Sequence, residues 1–242
     1  MIEFIFLYIY MKPGNAKSIE EMFNSISSKY DFLNDMFSFG LHRFWKKKLL
    51  GTLDPSFGER WIDVCCGTGD MSILLARYMK SSKNITGIDS ASQALSVARE
   101  RSKENYSSIE WIKGDALETN LPLHQFDGLL MAYGLRNLSS YEDGLREAFR
   151  ILKPGGRAGI LDFRSFQGVS LQGLFQKIYL SMYVVPIASV FGLKKEYSYI
   201  QKSLIDFPSG TEQINLALSA GFRKAEYETL AMGQMGILFL IA

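Results

Sequence analysis

The stretch that decides the fold is WIDVCCGTGDMSILLA, residues 61–76. Its apolar first half is typical of a buried strand, Gly67 and Gly69 predict a turn, and the amphipathic residues beyond them predict a helix. Several folds hold a nucleotide with such a strand, glycine turn and helix, because the helix start presents free backbone N–H groups to the ligand. The sequence therefore raises the question of which nucleotide binds here.

The same alternation continues on the carboxyl side of this stretch. Apolar segments typical of strands are separated by amphipathic segments typical of helices, and the helix after NITGID has Ser90 or Ser92 as its predicted cap. Such alternation predicts a parallel sheet with right-handed crossovers. The predicted strands are RWIDVCC (60–66), NITGID (84–89), SIEWIKGDA (108–116), FDGLLMAYGL (126–135) and RAGILDF (157–163).

The end of the chain departs from a plain dinucleotide-binding fold. A helix over residues 211–222 is followed by two apolar segments, residues 223–231 and 235–242, joined by the short link MGQ. A link of this length suits a hairpin, so the last strand is predicted to run antiparallel to its neighbours. This is evidence against an NAD-binding fold.

Two regions of the chain are predicted. Residues 1–15 hold an apolar run of about ten residues, well short of the roughly 20 that a spanning helix needs. We interpret them either as a tail that touches a membrane or as a mis-assigned start. Residues 16–242 form one domain that begins with a helical segment and carries an insertion at about residues 164–209. Because this apolar insertion follows a central strand, it is placed to cap a site for an apolar substrate.

Composition narrows the class of protein. A net charge of +2 gives no sign of a nucleic-acid partner, since nucleic-acid-binding domains usually carry a strongly basic patch. The two cysteines, Cys65 and Cys66, are neighbours, so we expect no disulfide between them and no metal site built on them. We expect a cytoplasmic protein that reaches the inner face of the cytoplasmic membrane at most peripherally.

The glycine turn matches neither common phosphate-binding motif. Ser72 occupies the position of the third glycine of the dinucleotide fingerprint, and no Gly-Lys-Ser/Thr follows for a P-loop. Asp63 and Asp70 flank the turn and would repel a phosphate. S-adenosylmethionine suits this turn better, because its carboxylate can meet the N–H groups of residues 67–69 while the nearby acids face its positive groups.

Two further acids follow the next two predicted strands. Asp89 lies where a carboxylate can accept hydrogen bonds from both ribose hydroxyls, a feature that S-adenosylmethionine and NAD share. Asp115 is placed to receive the adenine amino group, and Ala116 offers backbone contacts. Either aspartate alone would be interpreted as a solvated loop residue, but both together indicate a nucleoside site.

These residues resemble the ubiquinone/menaquinone biosynthesis C-methyltransferase family, from about Phe23 to Leu230. The stretches that carry the resemblance are SKYDFLNDMFSFGLHRFWK (28–46), DVCCGTGD (63–70), and GLRNL with RILKPGGRAGILDF (134–138 and 150–163). The resemblance implies a class I S-adenosylmethionine-dependent methyltransferase, an α/β protein with a Rossmann-like seven-stranded sheet whose last strand is antiparallel.

The resemblance also implies site residues. Thr68, Asp89, Asp115 and Ala116 match the family's cofactor contacts, and Ala132 stands where some members have a serine. The predicted cofactor site therefore comprises Asp63, Gly67, Thr68, Gly69, Asp89, Asp115, Ala116 and Ala132. The family's second signature usually ends in Glu-x-Ser, whereas this chain has Asp162-Phe163-Arg164, which alters the surroundings of the substrate.

The implied reaction is C-methylation of a polyprenylated quinol ring, from demethylmenaquinol to menaquinol. The predicted catalytic residues are Tyr30, Arg136 and Asn137, with Arg136 stabilising a phenolate or polarising a water and His42 as a reserve base. A plain ion pair is the structural alternative for Arg136. A ubiquinone-branch or dual-specificity enzyme, another small hydrophobic acceptor, and a scaffold without chemistry are the alternative functions. The sequence leaves a homodimer open.

Overall fold

The computed structural model describes Glu20, Glu21, Asn24, residues 35–166 and residues 170–242. Two predictions lie outside the described residues: the nature of residues 1–15 and the position of Tyr30.

A seven-stranded sheet forms the centre of the protein. Its strand order is β3-β2-β1-β4-β5-β7-β6, and β7 runs antiparallel to both of its neighbours while the other strands are parallel to one another. The predicted parallel sheet with an antiparallel last strand is confirmed. The strands are β1 (Trp61–Val64), β2 (Ile85–Asp89), β3 (Glu110–Lys113), β4 (Phe126–Ala132), β5 (Leu152–Phe163), β6 (Lys224–Leu230) and β7 (Met235–Ile241).

Helices connect the strands and cover both faces of the sheet. A π-helical turn lies at Leu180–Val184, and 3₁₀ turns lie at Leu135–Asn137 and Ala231–Gly233. The helices are α1 (Leu41–Leu53), α2 (Asp70–Met79), α3 (Ser92–Ser102), α4 (Tyr141–Ile151), α5 (Leu171–Tyr179), α6 (Val185–Val190), α7 (Lys194–Ser203) and α8 (Gly210–Ser219).

Two local predictions were wrong. Helix α3 follows Ala91 and is capped by neither serine, because the N–H of Gln93 in its first turn donates to Oδ1 of Asn24 at 2.9 Å. Strand β5 begins at Leu152 rather than at Arg157, so the Pro-Gly-Gly segment belongs to the strand. The register between β4 and β5 shifts beyond Phe126, and this irregularity accommodates the proline and the two glycines.

The insertion after β5 contributes both to the core and to the surface. Leu180, Val184 and Ala188 are buried in the core cluster that covers one face of the sheet. Several other apolar residues of the same segment remain exposed. The insertion thus packs at the carboxyl end of β5, where open α/β sheets bind their ligands.

Candidate active site

The glycine turn between β1 and α2 is fixed by a carboxylate from the neighbouring strand. Gly67 and Gly69 have φ values of 53° and 79°, which suit glycine, and Oδ2 of Asp89 accepts the N–H of Gly67 at 2.8 Å. Burial raises the pKa of Asp89 above its usual range. A carboxylate has about four lone-pair sites. Asp89 therefore holds the turn and retains acceptor capacity for the hydroxyls of a ligand.

A first cavity lies above this turn, and we call it the cofactor cavity. Lys46, Cys65, Tyr133 and Asn137 also contribute to its walls. Gly69 lies just below, where it precedes the first residue of α2. Seven of the eight predicted cofactor residues line this cavity: Asp63, Gly67, Thr68, Asp89, Asp115, Ala116 and Ala132.

Asp63 gives this cavity its electrostatic character. Its side chain is buried and accepts a hydrogen bond from Oγ of Ser72 at 2.7 Å. Burial raises the pKa of Asp63 to about 7, against the opposing effects of the Ser72 hydrogen bond and the Lys46 charge. A buried acid that ionises with such difficulty is stabilised when a positive group binds beside it. The cofactor cavity therefore fits a cationic ligand such as S-adenosylmethionine.

Asp70 does not share this role, although the sequence placed it beside Asp63. Nζ of Lys46 donates to Oδ2 of Asp70 at 2.6 Å, and Arg101 lies 3.5 Å from Oδ1. Arg101 also donates to the backbone and side-chain oxygens of Thr68 at 3.1 and 3.0 Å. Sequence reasoning missed Lys46 and Arg101. The signal available for Lys46 was its spacing of four residues from His42 on a helical segment, which brings both residues to one side of the helix.

A second cavity of about 330 Å³ lies next to the first, and we call it the apolar cavity. The end of β5 contributes Phe163, and the insertion contributes aromatic and aliphatic side chains that include Phe175, Tyr179 and Leu180. Tyr133 lines both cavities and has a φ of 62°, an unusual conformation for a residue other than glycine. Tyr133 is thus the wall that the two cavities share.

The 3₁₀ turn after β4 directs two predicted catalytic residues toward different cavities. Arg136 lines the apolar cavity, whereas Asn137 lines the cofactor cavity. Nδ2 of Asn137 donates to the carbonyl oxygen of Tyr133 at 2.9 Å. Among the described residues, Oδ1 of Asn137 is buried without a hydrogen-bond donor, so it has acceptor capacity for a ligand.

Arg136 is buried and paired with Asp162. Its Nη1 donates to Oδ1 of Asp162 and to the carbonyl oxygen of Tyr133, both at 2.8 Å, and its backbone N–H donates to Oδ2 of Asp162 at 3.1 Å. The guanidinium lies 5.3 Å from the ring centre of Phe163. Asp162, which stands where the family signature usually has Glu, therefore positions Arg136. Arg136 thus forms a buried ion pair and also lines the apolar cavity.

Two more polar side chains line the apolar cavity. Nδ1 of His42 lies 2.7 Å from Oγ of Ser38, and burial and the Lys46 charge lower the pKa of the His42 ring, which is therefore neutral at pH 7. The hydroxyl of Tyr199 is buried and has no hydrogen-bond partner in the described part of the chain. Burial raises the pKa of Tyr199 to about 12. The apolar cavity thus offers a cation, a neutral imidazole and a phenol within apolar walls.

Sequence comparison identifies relatives over almost the whole chain. Relatives include the 2-phytyl-1,4-naphtoquinone methyltransferases of Nostoc punctiforme, 41% identical over 92% of this chain and 97% of the relative, and of Synechococcus elongatus, 42% identical over 93% and 97%. The chloroplastic 2-phytyl-1,4-beta-naphthoquinone methyltransferase of Arabidopsis thaliana is 38% identical over 94% of this chain and 88% of the relative.

Solved structures share the fold. A methyltransferase from Thermotoga maritima, described as a possible histamine N-methyltransferase, superposes with a TM-score of 0.65 at 19% identity and covers 91% of this chain and 98% of its own. A phosphoethanolamine N-methyltransferase from Haemonchus contortus, solved with S-adenosylmethionine, gives 0.62 at 16% identity over 82% and 51%. The sequence model of the ubiE/COQ5 methyltransferase family matches residues 11–240. This chain belongs to the ubiE/COQ5 methyltransferase family, and its cofactor is S-adenosylmethionine.

Proposed function

We propose that this protein methylates a ring carbon of a reduced naphthoquinone that carries an isoprenoid tail. The observation that carries the proposal is that the apolar cavity adjoins the cofactor cavity, with Tyr133 in the wall of both. An acceptor ring in the apolar cavity would lie beside the methyl donor, while apolar side chains of the insertion surround its tail.

The polar groups of the apolar cavity suit a quinol. A quinol ring is apolar on its faces and carries two hydroxyls at its edge. Arg136, Tyr199 and His42 offer those hydroxyls a positive charge, a hydroxyl without a partner among the described residues, and a neutral ring nitrogen. Arg136 faces this cavity while already bound to Asp162, so its orientation is fixed before the acceptor arrives.

The cofactor supplies an electrophilic methyl group, and the protein must make the ring carbon nucleophilic. Removing the proton of a quinol hydroxyl raises the electron density of the ring. The neutral His42 ring is the group in the described part of the apolar cavity that can accept this proton, and Arg136 stabilises the resulting phenolate. Asn137 and Asp89 line the cofactor cavity and bind the cofactor there, so each cavity has its own polar groups for its own ligand.

Two naphthoquinols are candidates for the methyl acceptor. The family resemblance of the sequence implies demethylmenaquinol as the acceptor, whereas the relatives are named for a naphthoquinone with a phytyl tail. Both acceptors present the same two-ring system and differ in the saturation and length of the tail. The relatives' names support a naphthoquinol over a benzoquinol, and we propose the phytyl-bearing ring as the first acceptor to test.

Methyl transfer from labelled S-adenosylmethionine tests the proposal. Chemically reduced 2-phytyl-1,4-naphthoquinone, demethylmenaquinone and the demethylated precursor of ubiquinone are offered in separate reactions, and each product is identified by its mass. We expect label to enter one or both naphthoquinols, and to enter the benzoquinol at least tenfold more slowly. Label in the benzoquinol alone would contradict the naphthoquinol assignment. No label in any quinol, with cofactor still bound, would contradict the quinol class altogether.

A further inference from the structure

The insertion carries an exposed row of large apolar side chains. At about 100° per residue, its members fall within a sector of about 100° on one side of the helical segment. Met182 is 75% exposed and Leu171 is 83% exposed. We call this row the cap stripe, and its members are Leu171, Leu174, Phe175, Ile178 and Met182.

The opposite side of the same segment is also apolar. Leu180, Val184 and Ala188 are each at most 3% exposed and pack into the core. Residues Leu171–Val190 are long and apolar enough to cross a membrane by length and composition, yet 22% of that segment is buried inside the protein. Because its inner side packs into the core, the segment is placed to lie along the surface of a membrane rather than to span the membrane.

The cap stripe reaches the mouth of the apolar cavity. Phe175 belongs both to the stripe and to the lining of the cavity. From Phe175, stacked rings continue through Tyr179 and Tyr183 to Phe39, with successive centroid distances of 6.3, 5.4 and 5.6 Å. Phe39 and Met232 also line the cavity and are 72% and 89% exposed. The exposed apolar surface is therefore continuous with the entrance.

We propose that the cap stripe, with Phe39 and Met232, docks this protein on the surface of a lipid bilayer. A second protein seated on the stripe would also cover the entrance, because Phe175 belongs to both, whereas a fluid lipid phase leaves the entrance accessible. Leucine and phenylalanine side chains like those of the cap stripe form the buried face of helices that lie in the membrane interface. The acceptor's ring then enters from the bilayer without its tail crossing water. This entry route rests on the proposed function, but the docking itself does not.

Vesicle binding by the full chain tests the docking. Leu174 and Met182 belong to the stripe and do not line the cavity, so the doubly substituted chain L174D/M182D changes the surface alone. The control, F57D/L123D, changes two exposed side chains that precede β1 and β4, at the opposite end of the strands. Calorimetric titration with S-adenosylmethionine checks that both variants are folded.

With vesicles of phosphatidylcholine and phosphatidylglycerol, we expect wild type and control to sediment with the lipid equally. The stripe variant should bind at least tenfold more weakly. Equal binding by all three chains would overturn the proposal. So would loss of binding in a chain with Phe6→Asp alone, since the apolar run near the N-terminus would then hold the membrane. Self-association of wild type in light scattering that the stripe variant loses would assign the stripe to a second copy.

Rates of methyl transfer distinguish an error in the docking proposal from an error in the proposed function. The stripe variant should methylate a naphthoquinol with a one-unit prenyl tail in solution within twofold of wild type, and a long-tailed naphthoquinol in vesicles at least fivefold more slowly. Equal rates in vesicles would contradict the entry route. No methylation of either acceptor by wild type would contradict the proposed function and leave the vesicle-binding result standing.

Discussion

Arg136 combines a structural contact with a place in the acceptor cavity. Its ion pair with Asp162 is buried, with the two side chains 6% and 4% exposed. Breaking a buried pair by removing one partner typically costs about 3–5 kcal/mol, because the remaining charge is left without compensation. A loss of activity on substituting Arg136 therefore has two sources that must be separated.

We expect Arg136→Ala to lower kcat by roughly 100-fold or more, a loss of transition-state stabilisation of about 3 kcal/mol. S-adenosylmethionine should still bind within about threefold of wild type, since Arg136 lies outside the cofactor cavity. Steady-state kinetics and calorimetric titration measure the two quantities at a temperature where the variant is folded.

Asp162→Asn is the matched control, because it breaks the same ion pair and keeps the guanidinium. It should be destabilised, yet retain at least about tenfold more activity than the alanine variant, equivalent to about 1.4 kcal/mol. Equal activity in the two variants would mean that Arg136 acts only through the ion pair.

Asp63 makes the stability of the fold depend on pH. Its pKa is about 7 in the folded protein and near the usual 3.8 in the unfolded chain. Between these values only the unfolded state releases the proton, so rising pH favours unfolding. The contribution amounts to about 4 kcal/mol in all, since one pKa unit corresponds to about 1.4 kcal/mol.

Asp63→Asn should remove this contribution, because an amide does not titrate. Urea unfolding without cofactor at pH 5 and pH 8 should show that the variant gains stability relative to wild type mainly at pH 8. A difference between the two chains that stays constant from pH 5 to pH 8 would show that Asp63 ionises normally in the folded protein.

At the scale of elements, the pairing of β1 with β4 depends on one missing side chain. Trp61 is fully buried and pairs with Gly128 in the register of the two strands. A Cβ added to Gly128 would lie 2.3–2.4 Å from atoms of the Trp61 ring. The largest side chain of the core therefore packs where its partner strand has none.

Gly128→Ala should lower the free energy of unfolding by about 1–3 kcal/mol, the usual cost of forcing atoms into a packed core. Gly51 is the matched control: it lies in α1, where an added Cβ would meet nothing within 4 Å. Gly51→Ala should raise stability by about 0.5–1 kcal/mol. Denaturant unfolding measures both changes, and a shift in the same direction for both would contradict the packing argument.

The elements that the sequence predicted share a strong local signal. Runs of apolar residues bounded by glycine or proline mark β1, β4 and β7, because strands covered by helices or neighbours must be apolar. The wrong cap of α3 has a different origin. The N–H group of Gln93 that a serine was expected to bind is bound by Asn24, which lies 69 residues earlier in the chain. Lys46 and Arg101 were missed for the same reason: their partners lie 24 and 33 residues away in the chain.

At the scale of the whole molecule, the cofactor cavity joins the ends of three parallel strands. Asp63 comes from β1, Asp89 from β2 and Ala132 from β4. A ligand that bridges these strands binds the folded state alone and therefore stabilises the entire domain. At 100 times its Kd, S-adenosylmethionine should add about 2.7 kcal/mol.

A thermal scan should therefore show the midpoint rising by about 5–10 °C with saturating S-adenosylmethionine, given about 2–4 °C per kcal/mol for a domain of this size. Asp89→Asn should lose most of this rise, since the carboxylate holds the turn and lines the cavity. Asp143→Asn is the control, because that carboxylate is exposed on α4. An unchanged rise in the Asp89 variant would place the cofactor elsewhere.

The strand order has a consequence for the order of assembly. Strand β7 follows β6 in the chain but lies between β5 and β6 in the sheet. During synthesis β6 is therefore made before its sheet neighbour β7, and β5 presents a bare edge until β7 is in place. Residues up to about 230 can form the five-stranded parallel part, and the hairpin then completes it. Nascent chains halted between β6 and β7 would expose that edge to other polypeptides, so this interval is where chaperone assistance should matter most.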